Sequence, residues 1–176
     1  MTIALRRPTT DLFASWTEAV REFGGAHIDG GGYAQGFEPD RAACAAFVTE
    51  AAMFADPDAE LPDGKVACDF FWITDAEDVV GFIAFRRELN DFLERFGGHI
   101  GYSVRPTRRR QGIAKEALRL VLDHARADGY DRVMLTCDDD NVGSYRTIEG
   151  AGGELQDVID AADAGHQRLR RYWITL

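Results

Sequence analysis

The chain has 176 residues, a formal net charge of −10 at pH 7, 45% hydrophobic residues and 28% charged residues. This composition is typical of a globular protein with one sizeable core, so we expect residues 1–176 to form a single domain. A nucleic-acid-binding surface uses clustered Lys and Arg to contact phosphates, and the strongly negative charge therefore excludes a general nucleic-acid-binding role.

Neither a membrane segment nor a disulfide framework is indicated by the sequence. The apolar runs are too short to span a bilayer, and the N-terminus lacks the basic and apolar stretches of a signal peptide, so we expect a cytoplasmic protein. Cys44, Cys68 and Cys137 form an odd set without a Cys-x-x-Cys pair. This pattern argues against both disulfides and a zinc site.

The first half of the chain alternates between strand-like and helix-like runs. The polar segment 8–11 supplies helix-start chemistry, and the acidic segment 75–78 separates two β-rich runs as a hairpin would. In chain order we predict a strand at residues 2–7, helices at 12–23 and 42–54, strands at 66–74 and 79–86, and a short helical stretch at 89–96.

The second half begins with a strand at residues 100–104 and an amphipathic helix that ends before Gly129. A buried-looking strand follows at residues 132–137, and the helical crossover between the two strands predicts that they are parallel. We then expect a short helix after Asn141 and a closing hairpin formed by residues 154–160 and 168–175. Together these elements predict a mixed sheet with helices on both faces.

The junction between residue 104 and the amphipathic helix is suited to binding a polyphosphate. The first N–H groups of a helix lack intrahelical partners and carry partial positive charge, and Gly112 permits close approach to the backbone. Arg105, Arg108, Arg109 and Arg110 form a local cation cluster at this junction. The cluster is interpreted as counter-charge for phosphates, with a basic, solvated loop as the alternative.

Two motifs resemble the signatures of the GNAT (GCN5-related) N-acetyltransferases. Arg109-x-x-Gly112-x-Ala114 resembles their acyl-CoA pyrophosphate loop, and Asn141-x-x-Ser144-x-x-x-Ile148-Glu149-x-x-Gly152 resembles their second signature. The resemblance implies an α/β fold with a mixed, largely antiparallel sheet of six to seven strands that contains a splayed parallel pair. It also implies acetyl-CoA as cofactor, with binding residues Tyr102, Ser103, Val104, Arg109, Arg110, Gln111, Gly112, Ile113, Ala114, Asn141 and Ser144.

In this family the strand backbone holds the cofactor beside the splay. The resemblance implies that the Val104 N–H faces the acetyl carbonyl and that the Tyr102 and Ser103 strand groups pair with pantetheine. Ile148 departs from the pattern, because many members have a Tyr there that protonates the departing thiolate. Tyr145 is displaced by about one helical turn and cannot simply replace it, so the general acid is unassigned.

Two residues are candidates for the base that removes a proton from the attacking amine. His99 lies close to where many members keep a Glu, and an imidazole titrates near neutral pH, although it could instead cap a turn or be hydrogen-bonded in the core. Asp138 is the second candidate, with helix N-capping as the alternative. Arg87, Asn90 and His99 are the predicted substrate contacts. No pair of histidines has metal-ligand spacing, and no metal is expected.

The sequence thus predicts an acetyl-CoA-dependent N-acetyltransferase that acts on a primary amine of a small molecule or peptide. A non-catalytic acyl-CoA sensor or interaction module is the alternative. The acidic chain favours a cationic acceptor, and the glycine-rich segment 30–36 is expected to wall the acceptor site. A homodimer could form through the C-terminal hairpin, because the apolar residues Tyr172, Ile174 and Leu176 alternate with other residues along its second strand. A monomer is the alternative.

Overall fold

The computed structural model describes all 176 residues and contains a seven-stranded sheet. The strands follow the order β1-β2-β3-β4-β5-β7-β6, and every neighbouring pair is antiparallel except β4 and β5. The elements are β1 (Ile3–Arg6), α1 (Phe13–Glu22), α2 (Arg41–Ala55), β2 (Cys68–Asp75), β3 (Asp78–Arg86), β4 (Ile100–Val104), α3 (Ile113–Ala127), β5 (Arg132–Asp138), α4 (Val142–Gly150), β6 (Glu154–Asp160) and β7 (Arg168–Thr175). The predicted mixed, largely antiparallel sheet with one parallel pair is confirmed.

Helices cover both faces of this sheet. On the α3/α4 face, the apolar stripe of α3 packs on strand residues such as Ile83 and Phe85. On the α1/α2 face, Trp16 and Phe47 pack on Trp72 and Phe82. Side chains alternate between the two faces along each strand, so both faces of the sheet carry apolar residues. Each helix covers one face because its apolar side chains recur about every 3.6 residues and form a single stripe.

The short helical stretch predicted at 89–96 is present at residues 91–97, and most of it is a π-helical turn at Leu93–Gly97. Asn90 Oδ1 accepts the Leu93 N–H at 2.9 Å, and Thr136 Oγ1 donates to the Phe96 carbonyl at 2.8 Å. Gly98 leaves the turn with φ +64°, where a Cβ would lie 2.6 Å from the Met134 carbonyl oxygen. Because contacts with Thr136 and Met134 hold this turn, its π-helical form cannot be predicted from the spacing of apolar residues in the sequence.

The parallel pair is splayed. β4 and β5 pair only at Ile100 and Leu135. On the other side of β4, the Arg86 N–H donates to the His99 carbonyl and the Arg105 N–H donates to the Val80 carbonyl. At His99 the strand is irregular, because its carbonyl faces β3 while its N–H donates to the Met134 carbonyl of β5 at 2.7 Å. Beyond it the peptide groups alternate along the strand, so those of residues 101, 103 and 105 face β3, while those of Tyr102 and Val104 face the gap toward β5.

The C-terminal hairpin does not support the predicted mode of dimerisation. β7 lies inside the sheet between β5 and β6, and Tyr172 and Ile174 are buried in the protein's own core. The apolar alternation of β7 therefore reflects packing within the chain, and β6 forms the edge strand.

None of the helices combines the length and the apolar run needed to cross a membrane.

Candidate active site

A cleft of about 1260 Å³ passes through the gap between β4 and β5. It is open to both faces of the sheet, because its walls include the start of α3 and of α4 as well as the segment after α1. The splay creates this passage: two strands that diverge leave backbone groups without sheet partners at the centre of the molecule.

The end of the cleft at α3 is built to bind an anion. The six N–H groups from Arg110 to Lys115 have no acceptor within the protein, and the first helical bond runs from the Glu116 N–H to the Gly112 carbonyl. Arg110 and Gly112 both have left-handed backbone conformations, with φ of 63° and 80°. Successive N–H groups in such a turn converge on one point, which suits the pyrophosphate of acetyl-CoA.

Only half of the predicted arginine cluster is free to contact phosphates. Arg105 Nε lies 2.6 Å from Glu22 Oε1, and Arg108 Nη2 lies 2.8 Å from Asp75 Oδ2. Arg109 donates from Nε to the Val104 carbonyl at 3.1 Å, and neither Arg109 nor Arg110 has a carboxylate partner. Because acidic neighbours tie the first two arginines to α1 and β2, the proposed counter-charge is reduced to Arg109 and Arg110.

The start of α4 presents hydroxyl groups to the cleft. Asn141 Oδ1 accepts the Ser144 N–H at 3.1 Å and caps the helix, and Ser144 Oγ lies 3.0 Å from the Tyr102 hydroxyl. Burial raises the pKa of Tyr102 to about 12, so this phenol stays protonated at neutral pH.

These two hydroxyl groups line the cleft, whereas Ile148, at the position of the expected Tyr, does not. Ile148 is fully buried in the core, and the ring of Tyr145 packs under the Arg170 guanidinium at 4.4 Å. Neither residue lines the cleft. The sequence alone does not reveal that the Tyr102 hydroxyl lies beside Ser144, because this contact depends on how β4 and α4 are positioned.

His99 lies in the core, which does not fit the predicted base or substrate contact. Its Nδ1 accepts the Met134 N–H at 2.9 Å, its ring packs near Phe85, Tyr130 and Trp173, and it does not line the cleft. Burial, reinforced by nearby Arg86, lowers the pKa of His99 to about 4. A buried imidazole of such low basicity holds β4 to β5 and is a poor proton acceptor.

Asp138 does line the cleft, and it has a partner that the sequence did not reveal. Val133, Leu135 and Cys137 point toward α3, so Asp138 points to the α1/α2 face. His166, from the turn between β6 and β7, places Nδ1 2.6 Å from Asp138 Oδ1 and also lines the cleft. The two residues are 28 positions apart in the sequence, with Asp138 at the end of β5 and His166 in a polar turn. No local sequence pattern links them.

Arg87 and Asn90, the other predicted substrate contacts, lie outside the cleft. Arg87 makes a bidentate pair with the buried Asp69, with distances of 3.0 and 3.1 Å. Asn90 is engaged with the Gly64 carbonyl and the Leu93 N–H. Both side chains are therefore engaged in contacts within the protein.

The glycine-rich segment after α1 covers β4 from the α1/α2 face. A Cβ on Gly30 would lie 2.1 Å from the Gly101 carbonyl oxygen, so only glycine allows this close approach. His27, Asp29 and Gln35 of the same segment line the cleft. The segment thus forms a wall of the cleft on the face opposite to α4.

One group of side chains has metal-ligand spacing, formed by Asp69, His124 and Asp128. The Asp69 carboxylate already accepts hydrogen bonds from Arg87 and contacts Arg7 at 2.6 Å. The guanidinium groups of Arg87 and Arg7 beside the Asp69 carboxylate would repel a metal cation. Asp69, His124 and Asp128 are therefore interpreted as part of an ion-pair network and not as a metal site.

Comparisons with known proteins agree with this geometry. A sequence model of the Acetyltransferase (GNAT) family matches residues 35–152. A search of curated proteins returns no significant match.

Solved structures share the fold over almost the whole chain. The microcin C7 self-immunity acetyltransferase MccE, in complex with acetyl-CoA and AMP, is 15% identical with a TM-score of 0.73, covering 99% of this chain and 92% of its own. A Salmonella typhimurium acetyltransferase that modifies the N-terminal serine of ribosomal protein L7/L12 is 14% identical with a TM-score of 0.71, covering 100% and 96%. Mycobacterium smegmatis RimJ, in complex with CoA-disulfide, is 19% identical with a TM-score of 0.73, covering 98% and 81%.

At these identities the structural likeness establishes the fold, and the family follows from the sequence match, which spans most of the chain. The chain belongs to the GNAT acetyltransferase family and is an acetyl-CoA-dependent N-acetyltransferase.

Proposed function

We propose that this enzyme transfers the acetyl group of acetyl-CoA directly to a primary amine of a small molecule or peptide. The observation that carries the proposal is the cleft through the splayed strands. An anion-binding helix start lies at one end, and the Asp138–His166 pair lies on the opposite face of the sheet. The two substrates would enter from different faces and meet between β4 and β5.

Acetyl-CoA supplies an activated thioester, and the chain supplies hydrogen-bond donors along its length. The N–H groups from Arg110 to Lys115 would bind the pyrophosphate, with Arg109 and Arg110 as counter-charge. The N–H groups of Tyr102 and Val104 face the gap, and we assign the Val104 N–H to the thioester oxygen. A fixed donor stabilises the charge that develops there without reorganising at the moment of reaction.

The peptide group of Ser103 faces β3 and would not contact pantetheine, so only its side chain remains available. This narrows the backbone contacts expected from the family resemblance to the two residues that face the gap.

We assign proton removal from the amine to the Asp138–His166 pair. In the tautomer that we assign, His166 Nδ1–H donates to the Asp138 carboxylate, which leaves Nε2 free to accept a proton from the attacking amine. The carboxylate also stabilises the imidazolium that forms. The same arrangement works for any amine that reaches the α1/α2 face, and so it does not restrict the acceptor to one class.

Protonation of the leaving thiolate is assigned to Ser144, whose hydroxyl is hydrogen-bonded to Tyr102. Ser144 would give its proton to the sulfur and take one from the Tyr102 hydroxyl, which the raised pKa keeps protonated at neutral pH. Solvent in the open cleft then returns a proton to Tyr102. This assignment replaces the Tyr that the sequence lacks at position 148.

The neighbouring structures include an enzyme that modifies a protein N-terminus and one bound to AMP, which supports a fold that accepts both peptides and small molecules. We also propose that the enzyme acts in the cytoplasm, because its three cysteines are free and buried, as in a reducing compartment.

The function is tested by incubating the protein with acetyl-CoA and a pooled library of primary amines, with products read by mass spectrometry. Calorimetry on the same preparation measures acetyl-CoA binding. We expect both binding and an acetylated product. Tight binding with no product from any amine would contradict transfer and favour a sensor.

A further inference from the structure

Arg86 is a half-buried arginine in the cleft that has no carboxylate partner. It ends β3, and only its Nη1 is engaged, by the carbonyls of Gly97 and Gly98 at 3.2 and 3.1 Å. The next residue, Arg87, is paired bidentately with Asp69. The chain has a net charge of −10 and therefore many acidic side chains. None of them forms a salt bridge with Arg86. A desolvated cation without an anion is costly, and a bound anion would offset that cost.

The guanidinium group lies beside β4, the strand that carries the proposed site of transfer. A Cβ added to Gly101 would be 3.6 Å from Arg86 Nη2 and 3.7 Å from Nη1. Gly101 is adjacent to Tyr102, whose peptide N–H faces the gap. One residue along a strand is about 3.3 Å, so Gly101 lies about 10 Å from the Val104 N–H that we assign to the thioester oxygen. A carboxylate on Arg86, an amine next to that carboxylate and the thioester carbonyl would together span this distance.

Arg86 also lies on the face from which the amine would enter. Phe82 and Ala84 pack against the helices of the α1/α2 face, and Arg86 follows with the same alternation. Asp138 points to this face as well. The cleft therefore carries a cationic group and an acidic group on the same side of the sheet.

An apolar surface adjoins Arg86. The rings of Phe92 and Phe96 are 5.4 Å apart, both line the cleft, and Phe92 is 59% exposed. The turn that carries Phe96 continues into Gly97, whose carbonyl is held by Arg86. Exposed aromatic rings inside a cleft are suited to an apolar part of a ligand.

We propose that the acceptor is a small amino acid-like amine whose carboxylate binds Arg86 and whose apolar side chain packs on Phe92 and Phe96. The inference rests on the proposed function and names its substrate class. It departs from the cationic acceptor suggested by net charge, because the local charges of the cleft match a zwitterion. Arg presents paired donors that fit a carboxylate and does so better than Lys.

The test compares three pooled classes of acceptor: the common amino acids, their carboxamides, and the corresponding decarboxylated amines. Acetylation of each class is followed for the wild type, Arg86→Gln and Arg86→Lys. We expect the free amino acids to have kcat/KM values about 10-fold to 100-fold above those of the decarboxylated amines, through a lower KM. Arg86→Gln should abolish this preference and leave the decarboxylated amines unchanged, and Arg86→Lys should restore part of it.

Equal kcat/KM for the acids and the decarboxylated amines would overturn the inference, and so would an absence of product from the amino acids. A uniform loss across all classes in Arg86→Gln, with a lowered melting temperature, would instead show that Arg86 only holds the turn at Gly97 and Gly98. If other amines are acetylated in any of these cases, the proposed transferase function stands and only the substrate class fails.

Discussion

At the residue scale, the two histidines associated with the site have opposite environments. His99 is locked into the core by the Met134 N–H, whereas His166 is hydrogen-bonded to Asp138 in the cleft. We predict that Asp138→Asn and His166→Gln lower kcat about 100-fold or more, because each removes part of the proton acceptor. The check is steady-state kinetics of both variants beside the wild type.

Asp140→Asn is the matched control for this pair. Asp140 is exposed, carries the same charge two residues away and does not line the cleft. Its variant should retain wild-type kinetics. Equal activity in Asp138→Asn and Asp140→Asn would remove Asp138 from the mechanism.

His99 should control stability and not turnover. Its pKa falls to about 4 in the folded protein, against about 6.5 for an unfolded chain. The neutral form is favoured by folding, so its contribution is complete above pH 6.5 and is lost as the pH falls toward 4, by about 3 kcal/mol in all. In His99→Gln, denaturant unfolding at a series of pH values should lack this fall, and kcat should change little. A large loss of kcat with an unchanged stability profile would restore His99 as the base.

At the element scale, the start of α3 should determine acetyl-CoA affinity. Arg110 has no acidic partner, so we predict that Arg110→Gln weakens acetyl-CoA binding by about 10-fold, as expected for one charge-assisted contact. Arg119→Gln makes the same charge change on the exposed side of α3, where Arg119 pairs with Glu116 and Asp123. Calorimetry should find the latter variant unchanged, and equal affinities for both variants would contradict the assignment of Arg110.

Some elements of the fold can be predicted from the sequence, and others cannot. The helix α3, the strands β3 to β5 and the loop before α3 follow from periodicity and from the Gly112 motif, because their signals are local. The π-helical turn at Leu93–Gly97, the pairing of Asp138 with His166 and the position of Arg86 depend on contacts between distant segments. Sequence reasoning therefore predicts the elements at the α3 end of the cleft, but it does not reveal that Arg87 and Asn90 lie outside the cleft.

At the scale of the whole molecule, an ion-pair network around the fully buried Asp69 joins β2 and α3 to the residues that directly follow β1 and β3. Arg7, Arg87 and His124 all contact its carboxylate. Burial alone would raise the pKa of Asp69, but hydrogen bonds from Arg87, Arg7 and His124 hold it below its ordinary value. Its stabilising effect is therefore complete above pH about 4 and is lost as the pH falls through the folded pKa.

Asp69→Asn should lower the free energy of unfolding by about 3 kcal/mol at pH 7, because it leaves guanidinium groups without their anion. The difference from the wild type should shrink at acidic pH. Asp128→Asn, at a more exposed position beside His124, serves as control and should have a small effect. Chemical denaturation at pH 7 and pH 3 measures both, and an Asp69→Asn protein as stable as the control would contradict the role of the network.

The central claim is that two substrates meet through the gap between β4 and β5 and react directly. It is tested most directly by initial velocities measured while acetyl-CoA and the amine are varied together. We predict intersecting double-reciprocal lines, the pattern of a complex that holds both substrates at once. Parallel lines, with a covalent acetyl-enzyme detected by mass spectrometry after incubation with acetyl-CoA alone, would contradict direct transfer.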